Sequence, residues 1–384
     1  MSTSRGSWGT VSVNARYDRA VAWATSHIYV GLMITFSLLF GNCFVQTGIA
    51  EDRPTTGVAN PTYAPLDEIV FQFMDLSAAK AAVIAVSHHG EVIYSRGYGW
   101  ADRRRRTPTP PNTTFRLASN TKPITATVVK SLIRSGDLDA DLAVFPFLGL
   151  SPFDGELGDE RLNKITVKHL LDHQGGWDRE ETFDPMYRLK QIQQEMHLNK
   201  SPNSHRIIQY MLSQPLQFAP GERRAYSNFG YLVLGRVIEK ATGQNYVDIV
   251  QSRVFEPLGT TEVHISGQGR SEVFYPNGNG FNMAARDSAG GLAASAPALC
   301  HFMHAYWING EQRRPREIYW YYHMGSMTNT TTALMEQRLD GIDYAVMFNA
   351  RRNEQYEEDA AHLRSELNRV LDSLRDQIKR RVTD

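Results

Sequence analysis

Strand-like runs at both ends of this 384-residue chain, with a long helical stretch between them, leave few arrangements open. Near the start, AAVIAVSHH (81–89) and EVIYSRGYGW (91–100) are rich in β-branched and aromatic residues and are joined at Gly90. Near the end, EIYWYYHMGSM (317–327), TTALMEQRL (331–339) and GIDYAVMFNA (341–350) read the same way. Residues 140–312 between them are helical and loop-rich, as in ITVKHLLDH and YLVLGRVIEKATG. Leu66 to Met74 predicts a short amphipathic helix. Ser119 to Ser135 predicts another through Ile124, Val128, Val129, Leu132 and Ile133, closed by Gly136. A last helix carries Leu363, Leu367, Val370, Leu371, Leu374 and Ile378 on one face. Strands from both ends most simply share one antiparallel sheet, giving an α+β domain over 66–384 with helices flanking the sheet and a helical lobe inserted between its two halves.

The first fifty residues differ in kind. From Val21 to Ala50 the only titratable side chain near neutrality is His27. The segment Ile28 to Val45 is almost wholly apolar and follows Arg5, Arg16 and Arg19. This is the pattern of an export signal or an N-terminal membrane anchor through residues 28–45. Gly48-Ile49-Ala50 offers small residues for cleavage before Glu51, and a polar linker is expected over 51–65. The domain beyond is expected in an extracytoplasmic or periplasmic setting, secreted or anchored. It holds a single cysteine, Cys300, so it must stand on its core without an internal disulfide. Cys300 lies in an apolar helical stripe and reads as core.

Forty-one basic residues balance forty-one acidic ones, which leaves no global field for a polyanion. The run Arg103 to Arg106 sits in a Pro- and Thr-rich loop and reads as solvated, so no nucleic-acid partner is expected. Twelve histidines include no His-Glu-x-x-His or comparable set, and neither a metal nor a cofactor is expected.

Candidate chemistry comes in short patterns, each with a chance twin. Ser119 and Lys122 in FRLASNTKPITA lie three apart at the start of a helix, on one face. A lysine kept neutral by apolar surroundings can take the serine proton, and the helix N-terminus offers N–H groups for an oxyanion. The twin, Ser77 and Lys80, straddles a helix end and a strand start, so its faces diverge. Tyr226-Ser227-Asn228 leads from a Pro-Gly turn into a helix and can place a phenol in a cleft, whereas Tyr275-Pro276-Asn277 is turn chemistry. His-x-Gly occurs three times: His88 to Gly90 in a hairpin turn, His173 to Gly175 at a helix end, and His323-Met324-Gly325 within a strand. In the strand the glycine marks the close approach of a backbone or a ligand.

With Ser119/Lys122, Tyr226/Asn228 and His323/Gly325 in that order, residues 66–350 resemble the serine β-lactamase-related family of class C β-lactamases, DD-peptidases and esterases. ITVKHLLDHQGG, PGERRAYSNFGYLVLG and AGGLAASAPALCHF are similar to the family's intervening segments. The resemblance implies a β-lactamase/transpeptidase-like fold, a small-molecule or peptide-like substrate and an acyl-enzyme. It implies Ser119 as nucleophile, Lys122 and Tyr226 as proton carriers whose division of labour stays open, and Asn228 as an orienter of the substrate amide. The backbone N–H groups of Ser119 and Ser326 would form the oxyanion hole. Where β-lactamases carry Lys-Thr-Gly, this chain carries His323-Met324-Gly325. Histidine is partly charged near neutrality and methionine donates nothing, so esterase- or peptidase-like hydrolysis is expected rather than strong β-lactamase activity. On this reading His323 would bind anionic substrates only while protonated. The alternative is a non-hydrolytic binder or sensor of cell-wall peptides that keeps the fold.

Overall fold

The computed structural model describes residues 53–381 apart from 279, 315, 316, 318 and 353. The segment 1–50, read as a signal peptide or membrane anchor, lies outside them. Among the described residues no helix is long and apolar enough to cross a membrane.

The chain runs through β1 (Thr55–Thr56), α1 (Ala64–Ser77), β2 (Ala81–His88), β3 (Glu91–Gly99), β4 (Phe115–Arg116) and α2 (Thr121–Ser135). The lobe follows with α3 (Val144–Leu148), α4 (Val167–Leu171), α5 (Leu189–Glu195), α6 (Ser204–Leu212), α7 (Asn228–Thr242) and α8 (Tyr246–Val250). Next come β5 (Val263–Ile265), β6 (Leu292–Ala294), α9 (Ala296–Ala305), β7 (Tyr321–Met327), β8 (Thr331–Gln337), β9 (Ile342–Phe348) and α10 (Tyr356–Arg381). Six strands form one sheet in the order β1-β3-β2-β9-β8-β7, and β4-β6-β5 form a small second one. Every pairing between these strands is antiparallel, and β2 from the front of the chain lies against β9 from the back, Ala85 opposite Ala345. The shared sheet expected from the two strand clusters is present.

The sheet is covered on both faces, which is why β2 reads as a continuous apolar run rather than an alternating one. Ala82, Ile84 and Val86 face a layer built from α1 and the apolar stripe of α10, including Leu363, Leu367 and Leu371. Ala81, Val83 and Ala85 face the other way, into a core shared with Ile124 and Val128 of α2, Leu232 and Val237 of α7 and Leu299 of α9. Cys300 is fully buried in that core, and burial pushes its thiol up to about 12.

Two details bear on the sequence reading. The stretch 53–65, read as linker, packs onto the domain: Thr55 and Thr56 pair with Tyr98 and Gly97, and the buried Tyr63 ring lies 4.8 Å from that of Tyr94. Its polar, proline-bearing composition hid one anchoring aromatic and a short edge strand. Ser77 is the last residue of α1, and its hydroxyl donates to the Phe73 carbonyl. Ala78 follows at φ 57° and turns the chain away before Lys80.

Candidate active site

Ser119 is carried on a tight turn between β4 and α2. Leu117 donates its N–H to Leu292 O at 2.8 Å, Ala118 takes φ 47°, and a single 3-10 turn, Ala118–Asn120, leads into α2. A left-handed conformation at an alanine costs energy and persists only where the surroundings enforce it. The enforcing neighbour is β7. A Cβ on Gly325 would lie 1.9 Å from Leu117 O and 3.1 Å from Asn120 N, so only glycine lets the strand lie against the turn. The expectation of a close approach at Gly325 is met by a backbone.

At Ser119 the two sequence-predicted partners converge. The Tyr226 hydroxyl donates to Ser119 Oγ at 2.7 Å, and Lys122 Nζ stands 3.4 Å from the same oxygen. Lys122 is 2% exposed and packs under the rings of Tyr226 and Tyr231, 4.9 and 5.8 Å from their centroids. Burial brings its ammonium down to about 7. Asp184 opposes that shift, while Arg179 and Arg286 reinforce it. Burial also pushes the Tyr226 phenol up to about 12, against the opposing pull of its bond to Ser119. Near neutrality the site therefore holds a phenol that keeps its proton beside an amine poised to lose one.

Lys122 Nζ has two further contacts, Asn228 Oδ1 at 2.6 Å and the Ala289 carbonyl at 2.5 Å. Both can only accept, so a neutral amine spends its two N–H bonds on them and its lone pair is left for the Ser119 hydroxyl. Asn228 opens α7, whose N-cap Ser227 accepts from Gly230 N–H at 3.1 Å. Ala289 comes from the turn before β6, the AGGL stretch. Asn228 Nδ2 donates to Asp184 Oδ2 at 2.5 Å.

The phenol is held from behind by His173. Thr166 caps α4 in a reciprocal capping box with His169. The helix ends after one turn, and His173 at φ 58° brings its buried ring 4.7 Å from that of Tyr226. His173 Nδ1 accepts the Ser227 N–H at 3.2 Å, and burial holds the imidazole neutral, well below its usual range. His173, Ala289 and Asp184 escaped the sequence reading. In sequence the helix-ending His-Gln-Gly reads only as a rival to the strand motif, although His173 stands in the family-like ITVKHLLDHQGG stretch.

The third motif corrects one expectation. Asn120 Nδ2 donates to the Ala333 carbonyl at 3.3 Å, so its Oδ1 faces His323 Nδ1 at 2.9 Å and the proton sits on Nδ1. Burial, with Lys122 and Arg224 nearby, drives His323 down to about 3. It is a neutral brace between β7 and the turn that carries Ser119, not a cation that titrates in the working range. Positive charge at this edge belongs to Arg351, whose Nη1 donates to Ser326 Oγ at 3.2 Å. Ser119, Asn228 and Ser326 line one narrow cleft with Arg286 and Tyr187. The twin Tyr275 is structural: its hydroxyl accepts the Arg116 N–H at 2.6 Å and the Arg116 guanidinium lies 3.8 Å over its ring. Among the described residues no group of three or more His, Cys, Asp or Glu side chains could hold a metal.

A serine between a buried lysine and a phenol, on a helix pressed against the edge strand of an antiparallel sheet, defines a penicillin-binding-like protein. The chain belongs to the Beta-lactamase family, whose profile matches residues 66–347. It is 37% identical over 199 residues to Esterase EstB of Burkholderia gladioli, covering 51% of this chain and 50% of that protein. It is 28% identical over 184 residues to Penicillin-binding protein 4* of Bacillus subtilis, covering 47% and 37%. The chain thus spans half or less of the length of these two relatives. The fold matches D-amino acid amidase from Ochrobactrum anthropi SV3 with a TM-score of 0.64 at 19% identity, over 83% of this chain and 99% of that one.

Proposed function

We propose that the protein is a serine hydrolase that cleaves ester or amide bonds of small or peptide-like substrates through an acyl-enzyme on Ser119. The observation that carries this reading is the polarity of the contacts at Ser119 Oγ, with a phenol donating to it and an amine whose other two contacts are acceptors. Lys122 takes the Ser119 proton as Oγ bonds to the substrate carbonyl carbon. The oxyanion rests on the N–H groups of Ser119 and Ser326. The bond to the leaving group then breaks as that group takes a proton through Tyr226, which the lysine resupplies. Water attacks the acyl carbon by the reverse relay, releasing the acid and restoring the serine. Asn228 keeps one N–H beyond its bond to Asp184 for the substrate.

Ester or D-amino-acid amide hydrolysis is favoured over β-lactam hydrolysis. His323 is neutral and Met324 offers no donor where the lactamase pattern has Lys-Thr. The named esterase and amidase likenesses point the same way. A neighbouring pocket of about 100 Å³, walled by Trp177, Phe183, Pro185, Met211 and Phe229, shares Tyr226 and Asn228 with the site and suits a small apolar substituent. Export is part of the proposal and rests on the apolar segment 28–45 behind Arg5, Arg16 and Arg19.

The test is labelling with a fluorophosphonate followed by peptide mass spectrometry, beside turnover of a panel of esters and D-amino-acid amides. An adduct on Ser119 with turnover is expected. An adduct without turnover would move the reading to a non-hydrolytic binder, and no adduct on Ser119 would overturn it.

A further inference from the structure

We propose that Asp184 is a positioning residue: its carboxylate fixes the side-chain amide of Asn228 so that the carbonyl oxygen, and not the NH2 group, faces Lys122. The inference rests on the proposed function of Ser119 and Lys122 and adds a residue to it.

An asparagine amide is nearly symmetric in shape, and only its partners decide which end is which. Around Asn228 they decide without ambiguity. On one side Asp184 Oδ2 lies 2.5 Å from Nδ2, and an ionised carboxylate can only accept. On the other side Lys122 Nζ lies 2.6 Å from Oδ1. Turned over, the amide would set its oxygen against the carboxylate, trading that hydrogen bond for a repulsive contact, and its NH2 would draw the lone pair of a neutral Lys122 toward itself and away from Ser119.

Asp184 is itself anchored. Pro185 follows it and restricts it to the extended conformation seen, φ −99° and ψ 115°. Its Oδ1 accepts the Met186 N–H at 2.9 Å, which caps the turn Pro185–Tyr187 and leaves Oδ2 for Asn228. The chain of bonds runs Met186 N–H, Asp184, Asn228, Lys122, Ser119. Each member tells the next which way to point, and the last consequence is a lysine lone pair aimed at the serine. Asp184 also supplies the negative charge that opposes Arg179 and Arg286 around Lys122. The other titratable side chains around the amine are Tyr226 and Tyr231 from the α7 side, His173 from the end of α4 and His323 from β7.

The test is a double-mutant cycle on the full chain, read as the pH–rate profile of Ser119 labelling by a fluorophosphonate. In Asp184→Asn, one amide oxygen must serve both Met186 N–H and Asn228 Nδ2, and the charge near Lys122 is gone. The plateau rate should fall at least about tenfold, the scale of a misdirected general base, and the acid limb should move to lower pH because the group that raised Lys122 is lost. In Asn228→Asp the side chain accepts from Lys122 whichever way it turns, so there is no orientation left to fix. Asp184→Asn placed on that background should cost nothing, or speed labelling by removing a carboxylate–carboxylate contact. An equal loss in both backgrounds would reduce Asp184 to a turn cap, and no loss in either would remove its role; each result overturns the proposal. If the wild-type protein is not labelled at Ser119, the proposed function fails by itself. A neutron structure of the unmodified protein then decides the orientation without substrate: deuterons of Asn228 directed at Asp184 support the lock, and deuterons directed at Lys122 refute it.

Discussion

Replacing Gly325 by alanine should damage the site through distance alone. The new Cβ would start 1.9 Å from Leu117 O, and reaching an ordinary contact of 3.4 Å requires about 1.5 Å of separation. Neither side yields easily. Leu117 O accepts the Asn120 N–H at 3.0 Å, which closes the turn that carries Ser119, and Leu117 N–H is bonded to Leu292 O. Gly325 sits opposite Ala333 inside the β7–β8 ladder. The displacement therefore falls on the relation between Ser119 and Ser326, the two residues whose N–H groups would hold the oxyanion. Because a 1 Å misplacement can cost on the order of 10²-fold in rate, kcat/KM for a p-nitrophenyl ester should fall by about that factor or more. Overpacking of the strand should also remove about 1–3 kcal/mol of stability. Steady-state hydrolysis and calorimetric melting measure the two effects. Wild-type kcat/KM with wild-type Tm would show that β7 and the turn that carries Ser119 are not held together as described.

The other predictions are smaller in scope. If neutral Lys122 is the base, the acid limb of kcat/KM should lie near pH 7, with activity rising as the ammonium loses its proton; a profile flat from pH 5 to 9 would exclude it. Tyr226→Phe removes the only printed donor to Ser119 Oγ and should lower kcat by about 10²-fold or more while the fold persists, since the ring still packs on His173. Ser77→Ala should change activity not at all and stability by about 1 kcal/mol at most, because it loses a single bond to Phe73 O; loss of activity would mean that the wrong serine has been chosen. His323 and His173 are held below their ordinary pKa, so between pH 6.5 and about 3 the unfolded chain binds more protons than the folded one and stability must fall as pH falls. Urea titrations at pH 4, 5.5 and 7 check the sign, and KM for carboxylate-bearing esters relative to neutral ones should stay flat from pH 5 to 8.

How much of this was legible follows from how local each feature is. The helix of Ser119 and Lys122 and the α7 start at Tyr226-Ser227-Asn228 are set by spacing and caps within a few residues, so the sequence shows them. That Ser119 and Lys122 meet while Ser77 and Lys80 do not was legible for the same reason: α1 ends at Ser77, and its partner lysine falls beyond an αL residue. The sheet was legible because both strand clusters carry their own apolar pattern. The anchoring of 53–65 was not, since it depends on a ring contact between Tyr63 and Tyr94 and a two-residue pairing with β3.

What the sequence hid is the sign of each polar contact. His323 was expected to carry charge because an exposed imidazole titrates near 6.5, but its environment comes from residues scattered over the chain: Asn120 before α2, Lys122 within it, and Ala333, which fixes the Asn120 amide from β8. The same holds for Lys122. Its helix spacing was visible, yet what frees its lone pair is Ala289 and Asn228, and what orients Asn228 is Asp184, a residue that reads in sequence as the cap before Pro185. A motif therefore names the groups that meet. The direction in which protons can move among them is set by acceptors such as the Ala289 carbonyl and the Asp184 carboxylate, whose residue types carry no signature. Variants that keep every motif residue but invert one such acceptor should lose catalysis while leaving the fold intact.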